Sequence, residues 1–226
     1  MTCRSFRWIT GLAGGCALLL VAVSGLSACG APQYSYSADY SANTYFKVPY
    51  GWHKLSDDQL ATALKPYGGT PAGVWTSAFD AGGTVSPDNF LSFATTSPFV
   101  FAEVGQLNSS ASAGMSYNGL EDLFLPVTST ARQQMPSNSA LTNFKQIGLQ
   151  TLTPGQGVHG VRVTFQYTDQ VITGVGLTDT FDEVALTNAT DTEVYLLVVH
   201  CQAACYSQNS KAINDVMTSF TVRSPG

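Results

Sequence analysis

Three stretches of this chain combine residue types that could do chemistry. The first is His200-Cys201-Gln202-Ala203-Ala204-Cys205. Two thiols beside an imidazole could hold a metal, exchange electrons or close a disulfide. Structural zinc typically takes four ligands from two closely spaced cysteine or histidine pairs. Only one such pair is present, and His53 and His159 fall in separate loops. A redox dithiol has C-x-x-C spacing, whereas this is C-x-x-x-C. The spacing favours a disulfide between Cys201 and Cys205 over a metal site or a redox dithiol.

The second stretch, Gly155-Gln156-Gly157-Val158-His159-Gly160, fits the dinucleotide pattern G-x-G-x-x-G. That pattern works only where a helix N-terminus follows and receives the pyrophosphate. Val161 opens an alternating strand instead, so the glycines read as a hairpin turn that needs positive φ. The third stretch is acidic: Asp179, Asp182, Glu183, Asp191 and Glu193. Calcium would take several carboxylate oxygens, but the spacing matches no loop motif and alternation divides the acids between two faces. They are expected on a solvated sheet face. No G-x-S-x-G elbow, H-E-x-x-H or P-loop occurs. Serines are plentiful, so a triad assembled from distant positions stays open. Its mark would be a pocket joining His159 or His200 to a serine and an acid.

A further cysteine lies near the start. Met1 to Arg7 is basic, with Arg4 and Arg7, and Trp8 to Val23 is apolar or small. A basic start, an apolar run of about 7–15 residues and small residues at its end form a secretory signal. A spanning helix needs about 20 apolar residues, and Gly11, Gly14, Gly15, Ser24 and Gly25 dilute this run. Leu26-Ser27-Ala28-Cys29 then resembles the lipobox of bacterial lipoproteins: an aliphatic residue, two small residues and cysteine. The resemblance implies cleavage after residue 28, a diacylglyceryl thioether on Cys29 and a chain held at the outer face of the cell membrane. One acyl chain binds only marginally, at about 0.8 kcal/mol per buried methylene, so two or three chains are needed for a lasting anchor. Secretion with Cys29 as a free thiol is the alternative, and an exposed unpaired thiol outside the cell disfavours it. Cys3 and Cys16 leave with the leader. Cys201 and Cys205 then remain as an even pair in an oxidising compartment, which again favours a disulfide.

Composition narrows the partners. The 226 residues carry a formal charge of −5, and losing Arg4 and Arg7 with no acid takes the mature chain to −7. An acidic chain without a Lys/Arg cluster is a poor nucleic-acid binder and a poor electrostatic match to anionic lipid. Few charges, with many Ser, Thr, Gly and aromatic residues, fit an extracytoplasmic β-rich domain.

The elements that would position these residues follow. Residues 29–44 form a flexible tether by composition. A single α+β domain is expected over 45–223. Its first strand spans Tyr45 to Trp52. Ser56 caps a helix, with Gln59 completing a capping box and Leu60 and Leu64 on its apolar side. Further strands are predicted at Val74–Ala81, Pro98–Leu107, Phe144–Thr151, Val158–Tyr167 and Leu177–Thr187. Thr192–His200 is almost continuously apolar and predicts a buried central strand. Ser116–Val127 predicts a second helix and Tyr206–Ser219 the last. Trp52, Trp75, Phe79, Phe99, Phe101, Tyr195 and Phe220 are expected in the core, where an exposed subset could line an apolar groove. Antiparallel strands with helices before and after them predict a sheet flanked by helices.

Phe46-Lys47-Val48-Pro49-Tyr50-Gly51-Trp52, Gly160-Val161-Arg162-Val163, Thr180-Phe181-Asp182 and Ser219-Phe220-Thr221-Val222 resemble segments of the PsbP-like α/β/α sandwich group. Actinobacterial members of that group include many small lipoproteins. The resemblance implies a fold and an envelope setting, with no common catalytic site and no cofactor. The function it leads to expect is a lipid-anchored, non-catalytic protein that binds a protein partner or a lipidic or cell-wall ligand. Alternatives are an accessory or assembly factor of an envelope complex, or a hydrolase of unrecognised type.

Overall fold

Period-two alternation builds most of the structure, and the covering helices are set by caps and turns. The computed structural model describes residues 32–41, 43–70, 73–170 and 176–223. The leader and Cys29 lie outside the described residues. In chain order the elements are β1 (Tyr34–Asp39), β2 (Thr44–Pro49), β3 (His53–Lys54), α1 (Asp57–Leu64), β4 (Trp75–Asp80), β5 (Phe99–Gln106), α2 (Ser109–Ala113), α3 (Tyr117–Glu121) and α4 (Ser129–Gln133). There follow β6 (Leu141–Gly155), β7 (Val158–Asp169), β8 (Leu177–Thr187), β9 (Glu193–Gln202), α5 (Ala203–Met217) and β10 (Thr221–Val222).

Seven strands form one antiparallel sheet in the order β3-β4-β5-β9-β8-β7-β6. The fold is α+β, with an antiparallel sheet flanked by helices, as the sequence predicts. The chain forms a second, three-stranded sheet, β1-β2-β10. Alternation sorts the large sheet into two faces. Val163, Phe165, Phe181, Ala185 and Val198 point to one core, closed by Leu60 and Leu64 of α1 and Leu120 of α3. Val184, Leu186, Leu197 and Val199 point to the other, closed by Ile213, Val216 and Met217 of α5 and by Phe46 and Val48 of β2. β9 lies between β5 and β8 and is buried from Val194 to Cys201, which explains its unbroken apolar run.

The capping box forms as expected: Ser56 Oγ accepts the Gln59 amide at 3.3 Å, and Gln59 Oε1 accepts the Ser56 amide at 2.9 Å. Two expectations are corrected. Tyr34–Asp39, placed within a flexible tether over 29–44, is a strand paired with β2 from Tyr34↔Pro49 to Asp39↔Thr44. Its inward residue is polar: Ser37 is buried with its hydroxyl 2.8 Å from that of Ser77. A strand buried through serine leaves no apolar period to find. In the second case, Ser116–Val127 is helical only over α3. Asp122 then accepts the amides of Val127 and Thr128, both at 2.7 Å, and turns the chain into a loop.

Candidate functional site

Cys201 and Cys205 stand at disulfide distance, with Cα atoms 5.9 Å apart. Cys201 lies near the end of β9 and Cys205 in the first turn of α5. Among the described residues no group of three or more metal-ligating side chains is assembled. The glycine motif is a hairpin turn, as read from the sequence: Gly155, Gln156 and Gly157 have φ of 114°, 55° and 79°. Gly160 serves a different end. A Cβ there would sit 2.0 Å from the Ala185 carbonyl oxygen, so β7 and β8 approach closely at this point.

The acidic stretch departs from expectation. Asp179, Asp182 and Glu183 are fully buried, because β8 is an interior strand covered on both faces. His200 Nδ1 lies 2.8 Å from Asp179 Oδ2 in the core below α1, while His200 Nε2 and Asp179 Oδ1 have no hydrogen-bond partner among the described residues. The imidazole stacks on Phe181 at 5.3 Å, and Phe181 stacks on Phe165 at 5.3 Å. Burial raises the Asp179 carboxyl pKa even though the His200 hydrogen bond opposes it. Glu183 lies two residues beyond Phe181 on the same face. Among the described residues neither of its oxygens makes a well-formed hydrogen bond. Burial, then the charges of Asp122 and Glu121, push its pKa well above the usual range, against a smaller pull from the Phe124 backbone. These groups are sealed from solvent and cannot meet a substrate.

His159 reaches the surface. Met115, Ser116, His159 and Asp191 line one small cavity of about 270 Å³, the juxtaposition a hydrolase would need. The hydrogen-bond partners do not match that role. His159 Nδ1 donates to the Gly157 carbonyl at 3.0 Å, and Nε2 faces Asp191 at 3.4 Å. Ser116 Oγ accepts the Gly119 amide as the cap of α3. A nucleophilic serine passes its proton to a ring nitrogen; with Nδ1 donating, Nε2 is the nitrogen that keeps a lone pair, and it faces Asp191 while Ser116 Oγ is turned to the cap of α3.

On the α5 side the polar groups are satisfied. Arg162 Nε and Nη2 donate to Asp182 Oδ1 and Oδ2 at 2.9 and 2.7 Å, and Nη1 donates to Asn214 at 3.0 Å. Tyr206 adds a hydrogen bond to Asp182 Oδ2 at 2.8 Å. The Asp182 hydrogen bond raises the Arg162 pKa against the effect of burial, and burial raises that of Tyr206.

Beside this network a cleft of about 460 Å³ opens between β6 and the end of α5. Leu152, Val184, Leu186, Met217 and Phe220 give it an apolar lining; Gln150, Thr151, Thr153 and Thr218 contribute polar groups. Arg162 borders it with its charge already neutralised by Asp182. A neutral, largely apolar group suits such a lining. Sequence reasoning missed the cleft, since its walls come from separate parts of the chain. Phe220, expected in the core, is the one signal that pointed to it.

No family model matches this chain, and no curated protein matches it. Solved structures with a similar fold include cyanobacterial PsbP from Synechocystis, at 13% identity, covering 89% of this chain and 99% of that one, with a TM-score of 0.46. A protein of unknown function from Pseudomonas aeruginosa is 13% identical over 86% of this chain and all (100%) of its own, with a TM-score of 0.43. A mutant of the protein Mog1 is 10% identical over 84% and 95% of the two chains, also with a TM-score of 0.43. At these identities the likeness concerns the fold alone.

Proposed function

We propose that this chain is a lipid-anchored, extracytoplasmic protein of the cell envelope. In this reading it is non-catalytic and binds an apolar ligand, lipidic or from the cell wall, in the cleft between β6 and α5. The observation that carries the binding role is the cleft's apolar lining beside an ion pair that needs no further partner. The leader, the lipobox-like Leu26-Ser27-Ala28-Cys29 and the Cys201–Cys205 pair support the setting. The Cys201–Cys205 disulfide itself belongs to this proposal.

The test is mass spectrometry of small molecules that stay with the protein after detergent extraction from membranes. The parent is expected to carry an apolar species. Thr153→Trp, an exposed change at the cleft, is expected to lose it. A parent that returns empty would refute the ligand role. Labelling with a fatty-acid probe tests the anchor separately, with Cys29→Ser expected to lose both label and membrane attachment.

A second reading, an accessory role in an envelope complex, draws on β6. This outer strand exposes Ile147 and Leu149 at 52% and 49%. Apolar side chains on a sheet edge suit a protein partner.

A further inference from the structure

The small sheet β1-β2-β10 has one buried face and one outward face, and the outward face is unusual for so acidic a chain. Phe46 and Val48 point inward to the α5 core. Pairing sets Tyr34 opposite Pro49, Tyr36 opposite Lys47 and Ala38 opposite Tyr45, all on the other side. Cations lie over the rings: Lys47 Nζ is 4.1 Å from the Tyr34 centroid, and the Arg223 guanidinium is 5.5 Å from that of Tyr45. Tyr36, Tyr40 and Tyr50 are 70%, 91% and 62% exposed. Tyr36, Tyr40, Tyr45 and Arg223 also border a shallow hollow of about 320 Å³, with Asp39 held by Ser41 at its side.

A tyrosine has an apolar body and a polar tip, the combination enriched where hydrocarbon meets water in a bilayer. Chain length specifies the occupant. Tyr34 is five residues beyond Cys29. Five extended residues span at most roughly 18 Å. If Cys29 carries acyl chains, β1 is therefore the first element held near the membrane.

We propose that the outward face of the small sheet, centred on Tyr34, Tyr36 and Tyr45, seats in the headgroup layer of the bilayer into which the Cys29 acyl chains insert. This rests on the lipid-anchor reading. The face adds orientation to an anchor that alone would leave the domain free to turn. It would also set the cleft and the β6 edge at defined positions relative to the lipid. The contact is driven by aromatic burial rather than charge, because the mature chain carries −7 overall. Rising salt should therefore leave it in place.

The test uses acylated full-length protein, extracted from membranes and reconstituted into vesicles of phosphatidylcholine brominated on its acyl chains. Tyr36→Trp and Tyr40→Trp are compared with Tyr67→Trp, each read as the difference from the parent. Tyr67 is also exposed but packs on Phe90, in the core on the far side of the large sheet. The expected result is a blue shift and loss of emission at positions 36 and 40, unchanged by high salt, with none at 67. Vesicle-bound protein that shows no loss at 36 and 40, or equal loss at all three positions, would overturn the seating while leaving the anchor intact. A shift at 36 that follows protein density instead of bromination would assign the face to a second copy of the chain and overturn it too. Protein that takes up no fatty-acid label and does not float with vesicles would remove the anchor, and the seating with it.

Discussion

The two sides of β8 treat the same kind of side chain in opposite ways. Asp182 points toward α5 and is met by Arg162 on both oxygens and by Tyr206 on one. Asp179 and Glu183 flank Phe181 on the side of α1 and leave three carboxylate oxygens without a well-formed hydrogen bond among the described residues. All three acids are buried. On the α5 side the carboxylate is met by a bidentate guanidinium, which also reaches Asn214 and so ties the helix to both strands. On the α1 side burial drives the carboxyls toward their neutral forms, and aromatic stacking supplies the contacts. Burial of an acid is therefore not one energetic event but two, distinguished by what stands opposite.

The sharpest way to break the contrast is to remove the guanidinium. Arg162→Ala leaves the Asp182 carboxylate buried, with the hydroxyls of Tyr206 and, at 3.5 Å, Thr164 as donors. Removing one partner of a buried pair typically costs about 3–5 kcal/mol. Urea denaturation should show a loss of that size. Arg162→Met combined with Asp182→Leu should restore most of it, since apolar replacement of both partners removes the stranded charge. A double variant as unstable as the single one would mean that packing by the arginine stem, not the ion pair, holds this side together.

The opposite sign is expected across the strand. An unfolded chain releases the Glu183 proton near the ordinary value of 4.5, whereas the folded chain keeps it until well above that. Between those values the folded state binds more protons, so this group makes stability fall as pH rises. Asp179 adds to the same trend, because its folded pKa is also raised. Glu183→Gln keeps the shape and removes the titration. It should stabilise the protein as pH rises above 4.5, by about 1.4 kcal/mol for each pH unit until the folded carboxyl itself ionises. The gain should shrink toward pH 4.5. A gain independent of pH would show that Glu183 is not the group responsible.

A third comparison concerns covalent support on the α5 side. The proposed Cys201–Cys205 disulfide would close a loop of four residues' separation between β9 and α5. A disulfide around so short a loop is worth about 2 kcal/mol by chain entropy. Replacing both cysteines by serine should lower stability by that amount and leave the pH trend of the α1 side unchanged. An altered pH trend would mean that the two faces are coupled through β9.

Much of this contrast was hidden from the sequence, and the reason is register. Alternation in β7 and the apolar run of β9 were legible, as were the Ser56–Gln59 capping box and the glycine turn, because each is written in neighbouring residues. The pairing of Arg162 with Asp182 depends on β7 lying beside β8 with Thr164 opposite Asp182. Nothing local encodes that. The acids looked like a solvated face because a single strand does not reveal what covers it. β1 was missed for the related reason that its inward residue is a serine. The cleft joins β6, β7, β8, α5 and Phe220, so no single stretch announces it.

The smallest effect tests how firmly the α1 side is lidded. Ser56 caps α1, whose Leu60, Ala63 and Leu64 cover the aromatic core containing Phe181. Ser56→Ala removes the oxygen that accepts the Gln59 amide and half of the capping box. Loss of such a cap costs about 1 kcal/mol. If α1 folds only as part of the global unit, urea unfolding shifts by that amount and native-state amide exchange quickens evenly over the sheet. If instead the helix opens by itself, exchange quickens in α1 while β9 keeps its protection. The second outcome would give Glu183 and Asp179 a route to water that the α5 side lacks. Their neutral forms would then be set by how often the lid opens, as well as by how deeply they are buried when it is shut.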